Sequence, residues 1–196
     1  MRSIVKEFIK KLARLLLGEY SAYKIYSWPT SSGVPITQKP STTFRIEPVD
    51  RETIHGNGEP EIREQAGYAG PESYAYACFD GDSIVGVCFY WFGDRYRTRN
   101  FWPLENGEAK LVQIISLSAM RGRGVAAALV DASSRDMVKK GFRQLYARIW
   151  HSNLPSLRAF EKAGWARIAF VLEVHPFRRA SPIRIRVNAR PSSLTS

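Results

Sequence analysis

Six consecutive residues, Arg121-Gly122-Arg123-Gly124-Val125-Ala126, have the types and spacing needed to bind an anion. They lie between the apolar run 111–117 and a stretch of helical pattern that begins at Val125. The glycines allow a tight turn and leave room for a ligand to contact the main chain. The first turn of the helix presents unpaired N–H groups and the positive end of its dipole. The sequence therefore predicts a cradle for a phosphate or pyrophosphate group.

Three known glycine-rich patterns are candidates for this turn. A Walker-type loop requires Gly-x-x-x-x-Gly-Lys-Ser/Thr, which the chain lacks. The dinucleotide pattern Gly-x-Gly-x-x-Ala fits Gly122, Gly124 and Ala127, but it also requires an acidic residue at the end of the next strand. That strand, predicted at 143–150, is followed by His-Ser-Asn. The third pattern, Arg/Gln-x-x-Gly-x-Gly/Ala, is matched in full by Arg121, Gly124 and Ala126. The alternative to a phosphate site is an ordinary strand-to-helix turn that binds no ligand.

A second motif follows about one strand downstream. Asn153, with Pro155 and Ser156, is typical of a helix start, and Gly164 of a helix end. The two motifs together resemble the GNAT superfamily of acyl-CoA-dependent N-acyltransferases over roughly residues 44–188. The second motif of that family is matched here by Asn153, Ser156, Phe160, Gly164 and Trp165.

The resemblance implies an acyl-CoA co-substrate, such as acetyl-CoA, and no metal. It implies that the backbone from Arg121 to Ala126 binds the coenzyme A pyrophosphate, and that a backbone N–H near Leu117 or Ser118 binds the thioester carbonyl. The expected cofactor-binding residues are Leu117, Ser118, Arg121, Gly122, Arg123, Gly124, Val125, Ala126, Asn153, Ser156 and Phe160.

The acid and the base of the reaction are not evident from the sequence. Many family members have a tyrosine at the position of Phe160, which protonates the departing thiolate, and phenylalanine has no hydroxyl group. Ser156, one helical turn earlier, is the alternative donor, although it equally fits an ordinary N-terminal helix residue. His151 is a candidate base by its intrinsic pKa, or a loop residue that orients Asn153, and Glu108 is the nearest carboxylate on the central strand.

The composition indicates a single globular enzyme domain. The chain has 196 residues, of which 44% are hydrophobic, and contains no run long enough to span a membrane or to act as a secretory signal. A hairpin with its turn at Gly81-Asp82 places Cys78 opposite Val85 and Cys88 on the other sheet face, so we expect no disulfide. Free thiols in apolar surroundings are typical of core residues in proteins of the reducing cytoplasm.

The chain carries a formal net charge of +11, which requires an anionic partner of some kind. Coenzyme A accounts for part of this requirement. The segment 95–102, Arg-Tyr-Arg-Thr-Arg-Asn-Phe-Trp, alternates bases with aromatics as nucleic-acid-binding segments do. No recognised nucleic-acid motif accompanies it, so we expect a solvated loop and no nucleic-acid partner.

The N-terminal region has a different pattern from the rest of the chain. Residues 1–26 are predicted to form a basic amphipathic helix, which either packs on the domain or binds an anionic membrane surface at the inner face. Residues 27–43 are predicted to form a Pro/Ser/Thr-rich linker, residues 44–188 the acyl-CoA-binding N-acyltransferase domain, and residues 189–196 a flexible tail.

The predicted fold class is α/β (α+β), with a mixed, mostly antiparallel sheet flanked by helices. A strand near 43–48 leads into an irregular region through Gly70 that holds His55, Glu59, Glu61 and Glu64 and resembles a lid over the acceptor. Strands at 74–79 and 83–92 form a hairpin, and 110–118 is a central strand buried on both faces. A helix at 125–140, a strand at 143–150, a helix at 154–163 and strands at 166–174 and 183–188 follow.

These patterns favour a coenzyme-A-dependent N-acetyltransferase that acts on a small-molecule or protein amine, as a monomer or homodimer. Two hypotheses from other functional classes remain. The chain is alternatively a non-catalytic acyl-CoA-binding module, or a peripheral membrane or envelope-assembly factor recruited by its N-terminal helix.

Overall fold

The computed structural model describes residues 20–28, 44–98, 101–175 and 183–188 and contains one eight-stranded sheet. The strand order is β2-β3-β4-β5-β6-β1-β7-β8, and every neighbouring pair is antiparallel except β5 and β6. The strands are β1 (Tyr20–Trp28), β2 (Arg45–Val49), β3 (Ser73–Asp80), β4 (Ser83–Trp91), β5 (Glu108–Ser116), β6 (Gln144–Trp150), β7 (Ala166–Val174) and β8 (Ile183–Asn188). The predicted mixed, mostly antiparallel fold is therefore confirmed.

The helices form a layer on each face of this sheet. They are α1 (Arg51–His55), α2 (Pro60–Arg63), α3 (Gly93–Arg97), α4 (Val125–Lys139) and α5 (Leu154–Lys162), with 3-10 turns at Glu64–Tyr68 and Ser118–Met120. The largest core cluster contains Leu129 of α4, Phe160 of α5 and Leu145 of β6. A second cluster, with Ile54 and Ile62, lies under α1 and α2 on the opposite face. The sheet is thus held between two packed layers of helices.

Strand β1 corrects the predicted domain boundary. Residues 20–26 were predicted as the end of a helix and 27–28 as linker, but 20–28 form a central strand between β6 and β7, antiparallel to both. Ile25 is 1% exposed and Tyr26 is fully buried. The segment is rich in tyrosine, isoleucine and tryptophan, which favour strands when neighbouring strands pair with them. The predicted helix over 1–19, linker over 29–43 and tail over 189–196 lie outside the described residues.

The β3–β4 hairpin turns at Gly81-Asp82 as predicted, but its register differs from the prediction. A bulge after Cys78 places this residue opposite Gly86 instead of Val85, while Cys88 lies opposite Tyr76. Both thiols consequently point to the same face, into one core cluster, and both are free. The extra residue of the bulge shifts the alternation of the side chains by one position.

Arg95, the first residue of the basic segment, is held against the fold, contrary to the prediction of a solvated loop, whereas Arg97 is exposed as predicted. The guanidinium of Arg95 stacks on Trp91, at 4.6 Å, and donates to the carbonyls of Gly67 and Tyr68. Carbonyls at the end of a helical turn have no partner within the turn, so an arginine that reaches them fixes the turn in place. Phe101 and Trp102 are 9% and 7% exposed and so are not available to stack on bases.

Candidate active site

Strands β5 and β6 stop pairing midway along β5, and a cleft opens beside the second half of β5. Their parallel pairing runs only from Glu108 with Gln144 to Leu111 with Ala147. On the other side of β5, the pairing with β4 shifts register just beyond Leu111, so that Val112 is an extra, bulged residue. The second half of β5 is therefore half-buried, which corrects the prediction of a strand covered on both faces. Past Leu111, no strand among the described residues pairs with the edge of β5 that faces β6.

The hydrogen-bond pattern of β5 determines which N–H groups face this cleft. The N–H of Leu117 donates to the carbonyl of Val85 on β4, at 2.9 Å, so it points away from the cleft. Leu117 therefore cannot be the donor to a thioester carbonyl that the sequence suggested, and Ser118 is already in a 3-10 turn. Donor directions alternate along an antiparallel strand, which directs the N–H groups of Ile114 and Ser116 toward the cleft.

The predicted phosphate cradle lies at the end of β5 next to this cleft. Gly122 and Gly124 have φ angles of 79° and 87°, which favour glycine. The first bond of α4 runs from the N–H of Ala128 to the carbonyl of Gly124, and no side chain caps the helix start. The N–H groups of Val125 and Ala126 are hence free of intrahelical bonds and point toward the turn. This arrangement can bind two phosphates through the main chain.

The cradle arginines have different environments. Arg123 contacts Asp80 at 3.4 Å and the sulfur of Met120, and its guanidinium lies 6.0 Å from the ring of Phe44. Arg121 is exposed and lines the cleft beside Ser116. Arg123 thus links the cradle to the β3–β4 hairpin, whereas Arg121 faces the space that a ligand would fill.

Buried hydrogen bonds anchor α4, and with it the cradle, to the sheet. Ser133 Oγ lies 3.0 Å from the hydroxyl of Tyr90, and Ser134 Oγ accepts a bond from the indole N–H of Trp165 at 3.1 Å. Burial raises the pKa of Tyr90, so its hydroxyl remains neutral. Trp165, the last residue of the second sequence motif, therefore has a structural role: it holds α4 in position.

Gly86 permits the close approach of α4 to β4. A Cβ atom there would lie 2.8 Å from Cγ1 of Val125, the first residue of α4, and 2.9 Å from the carbonyl oxygen of Ile115. We expect Gly86→Ala to destabilise the fold by about 1–3 kcal/mol, as overpacking of a core does. Because Val125 must move, coenzyme A affinity should fall as well. Urea unfolding and calorimetry measure the two effects; Gly58→Ala, whose Cβ would meet nothing within 4 Å, is the control. Equal results for both variants would contradict this account.

The second motif begins α5 as predicted, and its Phe160 is buried in the core. The side chain of Asn153 caps α5 by accepting from the N–H of Ser156 at 3.2 Å. Ser156 is half-buried at the first turn of α5. Phe160 is 2% exposed, with its ring 5.0 Å from Trp165. It is a core residue in this structure, and its predicted contact with coenzyme A remains a prediction.

The two candidate bases from the sequence lie outside the set of residues that lines this cleft. His151 is exposed, and its ring nitrogen Nδ1 contacts the carbonyl of Ala22 on β1 at 3.2 Å. Glu108 is at the start of β5, where its carboxylate accepts from the N–H of Glu105. Glu108 is therefore at the opposite end of the strand from Ser116, and neither residue lines the cleft beside the cradle.

A cleft of about 370 Å³ connects the cradle with the helices on the other face. It is lined by Glu61, Glu64, Gln65, Ile114, Ile115, Ser116 and Arg121. The side-chain amide of Gln113 on β5 donates to that of Gln65 at 2.9 Å, which ties the 3-10 turn to β5. The sequence had indicated this region as a lid, but not its carboxylates as candidate bases. His55 and Glu59 do not line the cleft.

The profile of the Acetyltransferase (GNAT) family matches residues 41–165, which is more than half of the chain. The chain belongs to the GNAT acetyltransferase family. Acyl transfer is the general reaction of this family, and the resemblance stated from the two motifs is confirmed. A comparison with curated proteins found no similar sequence.

Several solved structures share this fold at low sequence identity. A GNAT acetyltransferase from Colwellia psychrerythraea has a TM-score of 0.56 and 14% identity, over 85% of this chain and 60% of its own. A putative GNAT acetyltransferase from Novosphingobium aromaticivorans has a TM-score of 0.51 and 13% identity, over 80% of this chain and 64% of its own. A protein of unknown function from Staphylococcus epidermidis has a TM-score of 0.52 and 9% identity, over 87% of this chain and 66% of its own. The chain thus spans less than two thirds of these three proteins.

The described part of the chain has no helix with the length and apolar character of a membrane span. Its histidine, cysteine and carboxylate side chains include no cluster of three that could hold a metal ion.

Proposed function

We propose that the protein transfers an acetyl or other acyl group from coenzyme A to an amine, by direct attack of the amine on the thioester. The observation that carries this proposal is the unpaired edge of β5, which opens beside the cradle at the start of α4. One end of the coenzyme binds through phosphates, and its thioester then lies along β5. No covalent enzyme intermediate is needed.

The backbone of β5 supplies the oxyanion stabilisation in this mechanism. The N–H groups of Ile114 and Ser116 face the cleft, where either can donate to the thioester oxygen. As the amine nitrogen bonds to the carbonyl carbon, negative charge develops on that oxygen, and a fixed donor stabilises it most at that point. The carbon–sulfur bond then breaks, leaving the amide and the coenzyme thiolate. The acceptor loses one proton on passing from its ammonium form to the neutral amine that attacks, and its nitrogen loses a second proton to a base as the amide forms.

We assign the base to Glu64, acting directly or through one water molecule. Glu64 lines the cleft together with Ile114 and Ser116, and its neighbour Gln65 is tied to β5. Glu61 lines the same cleft and contributes a second negative charge that attracts the ammonium form of the acceptor. These two carboxylates lie on the α2 side of the cleft, opposite the face that α4 covers.

The Glu64→Gln variant tests this assignment. We expect kcat/KM to fall by about 100-fold or more, since a positioned base contributes about 10²–10⁴ to the rate. Coenzyme A affinity should stay nearly unchanged, because Glu64 lies on the α2 side of the cleft, opposite the sheet face that α4 covers. Glu59→Gln is the matched control, since Glu59 is exposed and does not line the cleft. If both variants retain full activity, the base lies elsewhere.

The departing thiolate requires no tyrosine at position 160. A thiol with an ordinary pKa of about 8.5 is already a fair leaving group. Ser156 remains the proposed donor, because it is half-buried at the start of α5 and carries a hydroxyl. The core position of Phe160 favours the second candidate function, a non-catalytic acyl-CoA-binding module, which differs from the enzyme only by the absence of turnover.

Release of the coenzyme thiol from acetyl-CoA, measured with a thiol reagent over a panel of amines, separates the two functions. Burial raises the pKa of both Cys78 and Cys88 to about 12, so the thiols of the protein are almost entirely protonated near pH 8 and do not react. Amine-dependent thiol release supports the enzyme. Tight coenzyme binding without turnover of any amine would establish the binding module. A cytoplasmic location stays a prediction.

A further inference from the structure

Two side chains of β6 lie just past the point where this strand separates from β5. Arg148 is the first residue after the last paired position, Ala147, and Trp150 is two residues further on, so both project from the same sheet face. Tyr146, two residues earlier, shares this face with Lys110 and Trp91. The indole N–H of Trp91 donates to the carbonyl of Tyr68 in the 3-10 turn. Arg148 and Trp150 are therefore on the acceptor side of the sheet, where Glu61 and Glu64 also lie.

The guanidinium of Arg148 is held in place while its polar edge stays exposed. It lies 4.2 Å from the ring of Phe101 and 4.6 Å from that of Tyr23. Stacking on aromatic faces leaves the in-plane N–H groups of an arginine available to an anion. Within the described ranges, no carboxylate forms an ion pair with Arg148, while Glu173 binds Arg184.

More positive charge surrounds Arg148. Arg184 of β8 approaches the same Phe101 ring, at 5.2 Å, and Arg186 stacks on Trp102 at 4.0 Å. Three guanidinium groups thus cover one aromatic cluster on the acceptor face. Such a surface gives an anionic group a favourable site with little reorganisation.

Trp150 gives this wall an apolar platform. Its side chain is 49% exposed, and its ring lies 4.4 Å from Tyr23, which fixes the orientation of the indole. A large aromatic residue left half exposed beside a cleft is typical of a surface that packs on a ligand. The platform and Arg148 belong to the same strand, two residues apart.

The two walls of the acceptor side consequently have opposite charge. Glu61 and Glu64 line the cleft beside β5, and Arg148 lies on β6, the strand on the other side of the point where β5 and β6 stop pairing. An amine bound near the carboxylates can extend an attached group across this point toward Arg148 and Trp150.

We propose that the acceptor is an amine that also carries an anionic group, a phosphate or a carboxylate, which Arg148 binds while Trp150 packs against the part that connects the two. This inference rests on the proposed acyl transfer and adds the acceptor class to it. The amine end faces Glu61 and Glu64, and the anionic end faces the guanidinium cluster. Neutral amines of the same size are poorer acceptors because they leave Arg148 without a partner.

Matched acceptors test the proposal: glucosamine, glucosamine 6-phosphate and UDP-glucosamine, with acetyl-CoA at saturation. We expect a lower KM for at least one anionic member than for glucosamine. Arg148→Gln should raise that KM about 10- to 100-fold, the usual effect of losing a charged hydrogen bond, without changing the KM for glucosamine. Arg158→Gln removes an exposed arginine of α5 and has the same net charge, so it should change neither value. Trp150→Ala should weaken all three acceptors.

Calorimetry with the same three compounds, without acetyl-CoA, separates this proposal from the proposed activity. Binding of an anionic member that Arg148→Gln abolishes and Arg158→Gln preserves supports the acceptor class even if no acyl transfer occurs. Transfer to glucosamine with an equal or lower KM than to both anionic members would overturn the acceptor class and leave the activity standing. Equal effects of the two arginine variants, or no binding of either anionic member, would also overturn it.

Discussion

Replacement of Gly124 by valine should weaken coenzyme A binding by more than about 100-fold. The φ angle of Gly124 is 87°, in a region that costs a residue with a side chain about 1–2 kcal/mol, and a β-branched residue more. The turn can relieve this strain only by leaving the conformation that directs the N–H groups of α4 at the phosphates. Strain alone therefore accounts for a loss of affinity of about 10-fold. The rest of the loss comes from the branched side chain, which occupies the space that the pyrophosphate needs.

Gly141→Val provides the matched control for this experiment. Gly141 follows the other end of α4, has a φ angle of 93°, and a Cβ atom there would meet nothing within 4 Å, as is also true of Gly124. Both substitutions strain one end of the same helix, but only Gly124 is next to the cradle. Calorimetric titration with coenzyme A measures the difference. Similar affinities for the two variants would show that the phosphates bind somewhere else.

Replacement of Ile25 by alanine should destabilise the fold by about 2–5 kcal/mol, the usual range for a buried isoleucine. Ile25 is 1% exposed in the middle of β1, in a core cluster with Tyr23, Phe101 and Val171. Urea unfolding measures the loss. Tyr20→Ala is the control: Tyr20 begins the same strand but is 66% exposed, so its removal should change the free energy of unfolding by about 0.5 kcal/mol or less. Equal costs at both positions would contradict a central β1.

The features that the sequence predicted well are those encoded over short distances. The β3–β4 hairpin, α4 and α5 each have their own turn or capping residues, such as Gly81-Asp82 and Asn153. The turn from Arg121 to Ala126 is similar, because its two glycines and the helix start form one continuous segment, whereas its binding of a phosphate stays a prediction. Its position at the end of β5 agrees with the prediction.

The features that the sequence did not reveal depend on partners far along the chain. The central position of β1 arises from pairing with β6 and β7, and no local pattern identifies such partners. The direction of the Leu117 N–H depends on its partner Val85, and the bulge at Val112 on the register with β4. The prediction that Arg95 is solvated was wrong because the carbonyls that it binds belong to residues 67 and 68, which are far from it along the chain.

The position of β1 between β6 and β7 also has a consequence for the order of folding during synthesis. Tyr26 bonds to Glu161, which is 135 residues later in the chain. At translation rates of 5–20 residues per second, on the order of ten seconds pass before that partner leaves the ribosome. During that interval an apolar, aromatic strand has neither neighbour available, and closing so long a loop is itself slow. The first described strand to be made is thus among the last to join the sheet, and the nascent chain is most prone to aggregate through this segment.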